Sequence, residues 1–110
     1  MHTDGNINNA LQRLVDCKID GLQAIDSTAN MDILQIQQAY SSQLCVCGNV
    51  DCGLIITGTP DEVYESTKNL LVATKSVGSF ALGASNALEY KTPVENYLAV
   101  IDAWNDFGQA

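Results

Sequence analysis

The chain has 110 residues, enough for one domain with a modest core. Hydrophobic residues make up 46% and charged residues only 16%, against about 25% charged in an ordinary soluble domain, so part of the apolar surface is expected to be covered by a partner subunit or by further parts of the same fold. The net charge is −8 and the five bases, Arg13, Lys18, Lys68, Lys75 and Lys91, are scattered, which argues against nucleic acid or any other phosphate-backbone partner.

His2-Thr3-Asp4-Gly5-Asn6 is polar and turn-like. Ile7, Leu11, Leu14 and Val15 follow at helical spacing, so a helix is expected from there, capped by Asn6 or Asp4 and closed at Asp20-Gly21. Leu22 to Asp26 reads as a short strand ending at Asp26-Ser27. A second helix is expected from Met31 to about Ser41, with Met31, Ile33, Leu34, Ala39 and Tyr40 facing inward. Leu44 to Cys47 is the next strand, and it stops abruptly at Gly48-Asn49-Val50-Asp51.

Thr59-Pro60-Asp61-Glu62 carries a helix start: Thr59 as N-cap, Pro60 in the first turn, Glu62 returning a bond to the cap. Val63, Thr67, Leu70, Leu71 and Thr74 form its buried stripe. Ser79 to Gly83 is the last strand, followed by Ala84-Ser85-Asn86. Thr92-Pro93-Val94-Glu95 repeats the capping pattern and opens a final helix to about Phe107, with Val94, Tyr97, Leu98, Ile101 and Trp104 expected on a core-facing stripe.

Short apolar strands alternating with amphipathic helices predict βαβ units and a parallel sheet, either open and doubly wound or part of a (β/α)8 barrel. A Gly-rich phosphate loop is absent, which removes the main signature of a nucleotide-binding sheet. The apolar runs fall short of the roughly 18 residues of a membrane span. Met1 to Gly5 has neither the basic start nor the apolar stretch of a signal peptide. A cytoplasmic protein is expected, with no membrane partner and with Cys17, Cys45, Cys47 and Cys52 as reduced thiols.

Five segments occur in a telling order: His-Thr-Asp-Gly-Asn at 2–6, Ile19-Asp20-Gly21-Leu22-Gln23, Cys47-Gly48-Asn49-Val50-Asp51, Gly58-Thr59-Pro60-Asp61-Glu62-Val63 and Thr92-Pro93-Val94-Glu95-Asn96-Tyr97. Together they resemble the C-terminal part of the uroporphyrinogen decarboxylase superfamily, which includes the decarboxylases and the corrinoid-dependent methyltransferases. The resemblance runs over essentially the whole chain. It implies an α/β fold, the C-terminal portion of a (β/α)8 TIM barrel, with about three complete βα units plus the end of a fourth strand in one segment, 1–110. Only Met1 stands where an apolar strand body would precede His2. The expectation is therefore a barrel cut near its middle, which self-associates or pairs with the missing barrel half.

In such a barrel the site lies at the C-terminal strand ends. Asp26 and Asp51, from adjacent strands, are the candidates for paired acid–base catalysis; the alternative is that each caps the loop that follows. Asn49, Ser85 and Asn86 are the candidates for binding a small-molecule substrate. Cys45 and Cys47 share one strand face, but their spacing is not that of a zinc pair, and core packing is the favoured reading. Tyr97 and Trp104 read as core.

The methyltransferase branch holds zinc through a His-x-Cys pair and a later Cys. By that resemblance His2 and Asp4 are the candidate metal ligands, with Asp4 where the first Cys would stand and Asn86 near the later one. Hydrogen bonding within the loop is the alternative role. The favoured activity of the parent enzyme is methyl transfer, with zinc and a corrinoid carried on a partner protein. The rival is uroporphyrinogen decarboxylation, which needs no cofactor; Gly83-Ala84-Ser85-Asn86 lacks the His seen there in true decarboxylases. The third expectation is a catalytically inactive half-barrel serving assembly alone, because catalysis draws on the ends of several strands.

Overall fold

The turns and caps divide the chain into four short strands, each followed by helical structure. The computed structural model describes residues 1–109. The strands are β1 (His2–Thr3), β2 (Gly21–Ala24), β3 (Cys45–Val50) and β4 (Phe80–Ala84). The helices are α1 (Leu11–Asp16), α2 (Ile33–Tyr40), α3 (Cys52–Thr57), α4 (Pro60–Thr74) and α5 (Val94–Phe107). Single 3-10 turns occupy Asn8–Ala10 and Ser27–Ala29.

The sheet has the order β1-β2-β3-β4, and every pair is parallel. Strand order follows sequence order without reversal, whereas a doubly wound sheet turns back at a switch point. Four consecutive parallel staves with their helices on one face form part of a (β/α)8 barrel, with β1 as the short end of the first stave. Register places His2, Gln23, Cys47 and Ala81 in one row across the sheet.

Alternation along the strands separates the two faces. Leu22, Ala24, Val46 and Val50 are buried beneath the helices. Leu11, Val15, Ile33, Ile36 and Val46 centre one core cluster, and Val50, Ile55, Val63 and Ala99 a second. Gln23, Cys45 and Cys47 sit on the opposite, open face. The two cysteines are thus half-buried wall residues of the barrel interior rather than members of the helix-side core.

Several elements depart from the sequence expectations. The first helix ends at Asp16, and the chain reverses through Lys18 at φ +62°; Gly21 is no helix cap but the first residue of β2, packed so closely that a Cβ would lie 3.3 Å from the Cys45 carbonyl oxygen. In α2 the inward residues include Ile36 and Gln37, while Ala39 is exposed. Buried Gln37 donates through Nε2 to the carbonyls of Thr74 (3.2 Å) and Gly78 (3.1 Å), tying α2 to the end of α4. Helix α3 was not foreseen, because Cys-Gly-Leu-Ile-Ile-Thr shows no amphipathic period.

The two Thr-Pro starts behave differently. Thr59 forms the full capping box, Oγ1 accepting from the Glu62 amide (3.2 Å) and Glu62 Oε2 accepting from the Thr59 amide (2.8 Å). Thr92 forms none; Pro93 occupies the cap position and the Thr92 hydroxyl is buried without a partner. Helix α5 buries Asn96, Ala99 and Ala103, and its large apolar stripe (Val94, Tyr97, Leu98, Ile101, Trp104) is exposed. Small residues allow close packing on α4, and the expected core stripe is a surface.

Candidate functional site

The chain leaves β2 through Ala24 and Ile25, both at positive φ, and turns at Asp26. Asp26 Oδ1 accepts from the Thr28 amide (2.9 Å) and from the Thr28 hydroxyl (2.7 Å), which caps the 3-10 turn. At the end of β3, Asp51 Oδ1 accepts from the Gly53 amide (2.8 Å) and caps α3. Both carboxylates therefore act as loop caps through one oxygen, and neither Oδ2 takes a hydrogen bond among the described residues.

Beyond β4 the buried Ser85 is held on both sides. Its amide donates to the Val50 carbonyl (2.8 Å) and its Oγ accepts from the Cys52 amide (3.2 Å). Cys52 Sγ accepts from the Asn86 amide (3.2 Å) and donates to the Asn86 carbonyl (3.4 Å). The Asn86 side chain turns back, its Oδ1 accepting from the Ala87 amide (2.7 Å). These contacts lock the β3–α3 junction to the loop after β4.

Asp26, Asp51, Ser85 and Asn86 come together around one open cavity of about 440 Å³, joined by Thr28, Cys52 and Glu89. Three carboxylates and no base line it, so its field favours a cationic or neutral occupant over an anionic one. Sequence reasoning missed Cys52 and Glu89. Cys52 directly follows Asp51, and that adjacency was the available signal; Glu89 lies in a loop with no distinguishing pattern.

The family model described as uroporphyrinogen decarboxylase (URO-D) matches residues 1–107. The chain belongs to the uroporphyrinogen decarboxylase family. Among solved structures, this URO-D family chain resembles a methyltransferase from Methanosarcina mazei, with a TM-score of 0.77 and 23% identity, over 98% of this chain and 31% of that one. The chain thus spans about a third of the length of that methyltransferase, and the likeness at this identity is one of fold. No curated protein matches the chain. No helix among the described residues is long and apolar enough to cross a membrane.

Three other predicted positions of the URO-D family chain, Asn49, His2 and Asp4, lie apart from the cavity. Asn49 donates through Nδ2 to the Ile25 carbonyl (2.8 Å) and faces a separate groove bordered by Met31, Ile33 and Leu70. His2 sits on β1, its Nδ1 3.1 Å from Gln23 Oε1 and its Nε2 3.6 Å from Asp4 Oδ1. The His2–Asp4 pair offers two donors, whereas a catalytic zinc takes three protein ligands. No group of three or more His, Cys, Asp or Glu among the described residues could hold a metal. These residues by themselves do not fit zinc.

On the open face, Cys45 and Cys47 are free thiols. Burial pushes the Cys47 thiol up, reinforced by the neighbouring Cys45 through its charge and a hydrogen bond. A raised thiol pKa keeps Cys47 protonated, which suits a barrel wall better than a nucleophile.

Proposed function

We propose that this chain forms one rim of the active site of a methyl-transferring member of the URO-D family, acting on a small neutral or cationic methylated compound. The carrying observation is the acidic strand-end cavity, with Asp26, Asp51 and Glu89 and no base. A substrate bearing several carboxylates, such as uroporphyrinogen, would be repelled there. The structural likeness to a methyltransferase supports the same branch. In this reading Asp26 and Asp51 use their free oxygens to move a proton or to hold positive charge, and Ser85 and Asn86 shape the pocket. The methyl carrier is a corrinoid on a partner protein, and the opposite rim comes from other strands of the barrel. The chain on its own is then inactive.

Uroporphyrinogen decarboxylation is the second reading, favoured by the description of the family model itself. Parallel assays on the enzyme that contains this chain separate the two. Methyl transfer to or from a corrinoid protein is expected, falling by about 10²-fold or more in Asp51→Asn, the usual scale for a lost acid–base group. Decarboxylation without methyl transfer overturns the proposal.

A further inference from the structure

On β3, Cys45 and Cys47 stand two residues apart and point to the same, open side of the sheet. Both are half-buried free thiols, and neither lines the strand-end cavity. They lean toward each other: the Cys45 thiol hydrogen-bonds to that of Cys47, and Cys47 Sγ lies 3.9 Å from the Cys45 carbonyl oxygen. The residues beside them are small. Gly21 of β2 is paired with Cys45, and a Cβ there would lie 3.8 Å from Cys47 Sγ and 3.8 Å from Cys45 Cβ. Ala81 of β4 is paired with Cys47. The missing side chain at Gly21 therefore leaves a niche that touches both cysteines.

Strand geometry limits what the pair can do. Residues i and i+2 of a strand are about 6.6 Å apart, whereas a disulfide needs Cβ atoms within about 4.5 Å. A sulfur–metal–sulfur bridge with bonds of about 2.3 Å spans up to about 4.6 Å between the sulfurs, which two thiols leaning together on an undistorted strand can meet. Further ligands are missing. His2 shares the row of Cys47 but stands two strands away, about 9.5 Å, and is engaged by Gln23 and Asp4. Among the described residues no three His, Cys, Asp or Glu converge on one point. Structural zinc, which takes four ligands, is not served by two. Copper(I), a soft ion that thiolates select, is content with two sulfurs. We propose that Cys45 and Cys47 form a two-thiolate site for a soft monovalent cation of the copper(I) kind. On binding, both thiols release their protons to solvent and each sulfur donates an electron pair to the ion, whose oxidation state does not change. The site lies apart from the strand-end cavity and does not depend on the reaction proposed above.

The test titrates the 110-residue chain with copper(I), without oxygen, against the chromophoric copper(I) chelator bicinchoninate. One ion held per chain is expected, with two sulfur neighbours in X-ray absorption. The double variant Cys17→Ser, Cys52→Ser is expected to keep the ion, and Cys45→Ser or Cys47→Ser to lose it while circular dichroism stays unchanged. Should either of those two unfold, the unsubstituted chain carries a second readout: one equivalent of copper(I) is expected to protect Cys45 and Cys47 from iodoacetamide and to leave Cys17 reactive. Copper(I) that follows Cys17 or Cys52 overturns the proposal, as does one ion bridging two chains in sedimentation. Labelling of Cys45 and Cys47 that copper(I) does not slow overturns it too, and so does displacement of the ion by equimolar zinc.

Discussion

Ile25 is β-branched and nevertheless has a φ of +52°, directly after Ala24 at +91°. Such backbone costs on the order of 1–3 kcal/mol per residue and persists only where its surroundings hold it. Two things hold it here. The Ile25 side chain is buried, and its carbonyl accepts from Asn49 Nδ2 at 2.8 Å. Asn49 thus positions the turn that presents Asp26 rather than touching the cavity itself. Asn49→Ala removes the donor, and a loss of about 1–3 kcal/mol in urea unfolding is expected. An unchanged midpoint would show that burial of Ile25 alone fixes the turn. A second residue-scale prediction concerns Tyr64, whose hydroxyl donates to Asp106 at 2.6 Å. That bond, with smaller contributions from burial and nearby acids, pushes the tyrosine pKa up to about 12. Because the folded value lies above the unfolded one of about 10, the contribution to stability is fully present below the unfolded value and is lost as pH rises through about 12. Ultraviolet titration is expected to show one of the four tyrosines ionising late, and Asp106→Asn is expected to bring it back toward the others.

At the scale of elements, the two Thr-Pro starts make a controlled comparison within one chain. Helix α4 is closed by a reciprocal capping box at Thr59 and Glu62, and Thr59→Ala is expected to cost about 1 kcal/mol. Thr92 opens the same Thr-Pro-x-Glu pattern but has a buried hydroxyl without a partner among the described residues. Thr92→Val, which removes that polar atom at nearly constant shape, is expected to be neutral or stabilising in thermal melts; a loss as large as that of Thr59→Ala would mean that the hydroxyl is bonded in solution. The pair also shows what a motif conveys. Strands, α4 and the barrel topology were legible because local signals agreed: caps, an apolar period, strand ends at polar residues. Thr92 misled because the same Thr-Pro-x-Glu pattern sits after a loop that brings Pro93, not Thr92, to the cap. Helix α5 misled because its large apolar residues were assigned to the core, whereas Asn96, Ala99 and Ala103 permit the close approach to α4 that large side chains would prevent. Helix α3 was illegible because six residues without an amphipathic period leave only the Asp51 cap as a signal, and a cap before a loop looks the same in sequence as a cap before a helix.

On the scale of the whole molecule, the candidate site was legible as strand ends and illegible as a constellation. Asp26, Asp51, Ser85 and Asn86 could be brought together from topology alone, since neighbouring staves end side by side. That Asn49 turns away, and that His2 is engaged by Gln23 and Asp4, depends on side-chain directions that spacing does not encode. The same limit applies to the cysteines. One sheet face is packed by helices and the other is open, which is unusual for a parallel sheet, whose two faces are ordinarily both covered. Cys45 and Cys47 stand on that open face, half-buried, while Cys17 is exposed on the helical side. Because burial and the proximity of Cys45 hold the Cys47 thiol protonated above its ordinary range, and because the thiolate is the reacting species, alkylation of the isolated chain near neutral pH is expected to modify Cys17 first and Cys47 well after it, with the Cys47 rate still climbing at alkaline pH. Peptide mapping after timed iodoacetamide treatment reads this directly. Cys47 labelling as fast as Cys17 in the isolated chain would contradict its placement within the barrel wall.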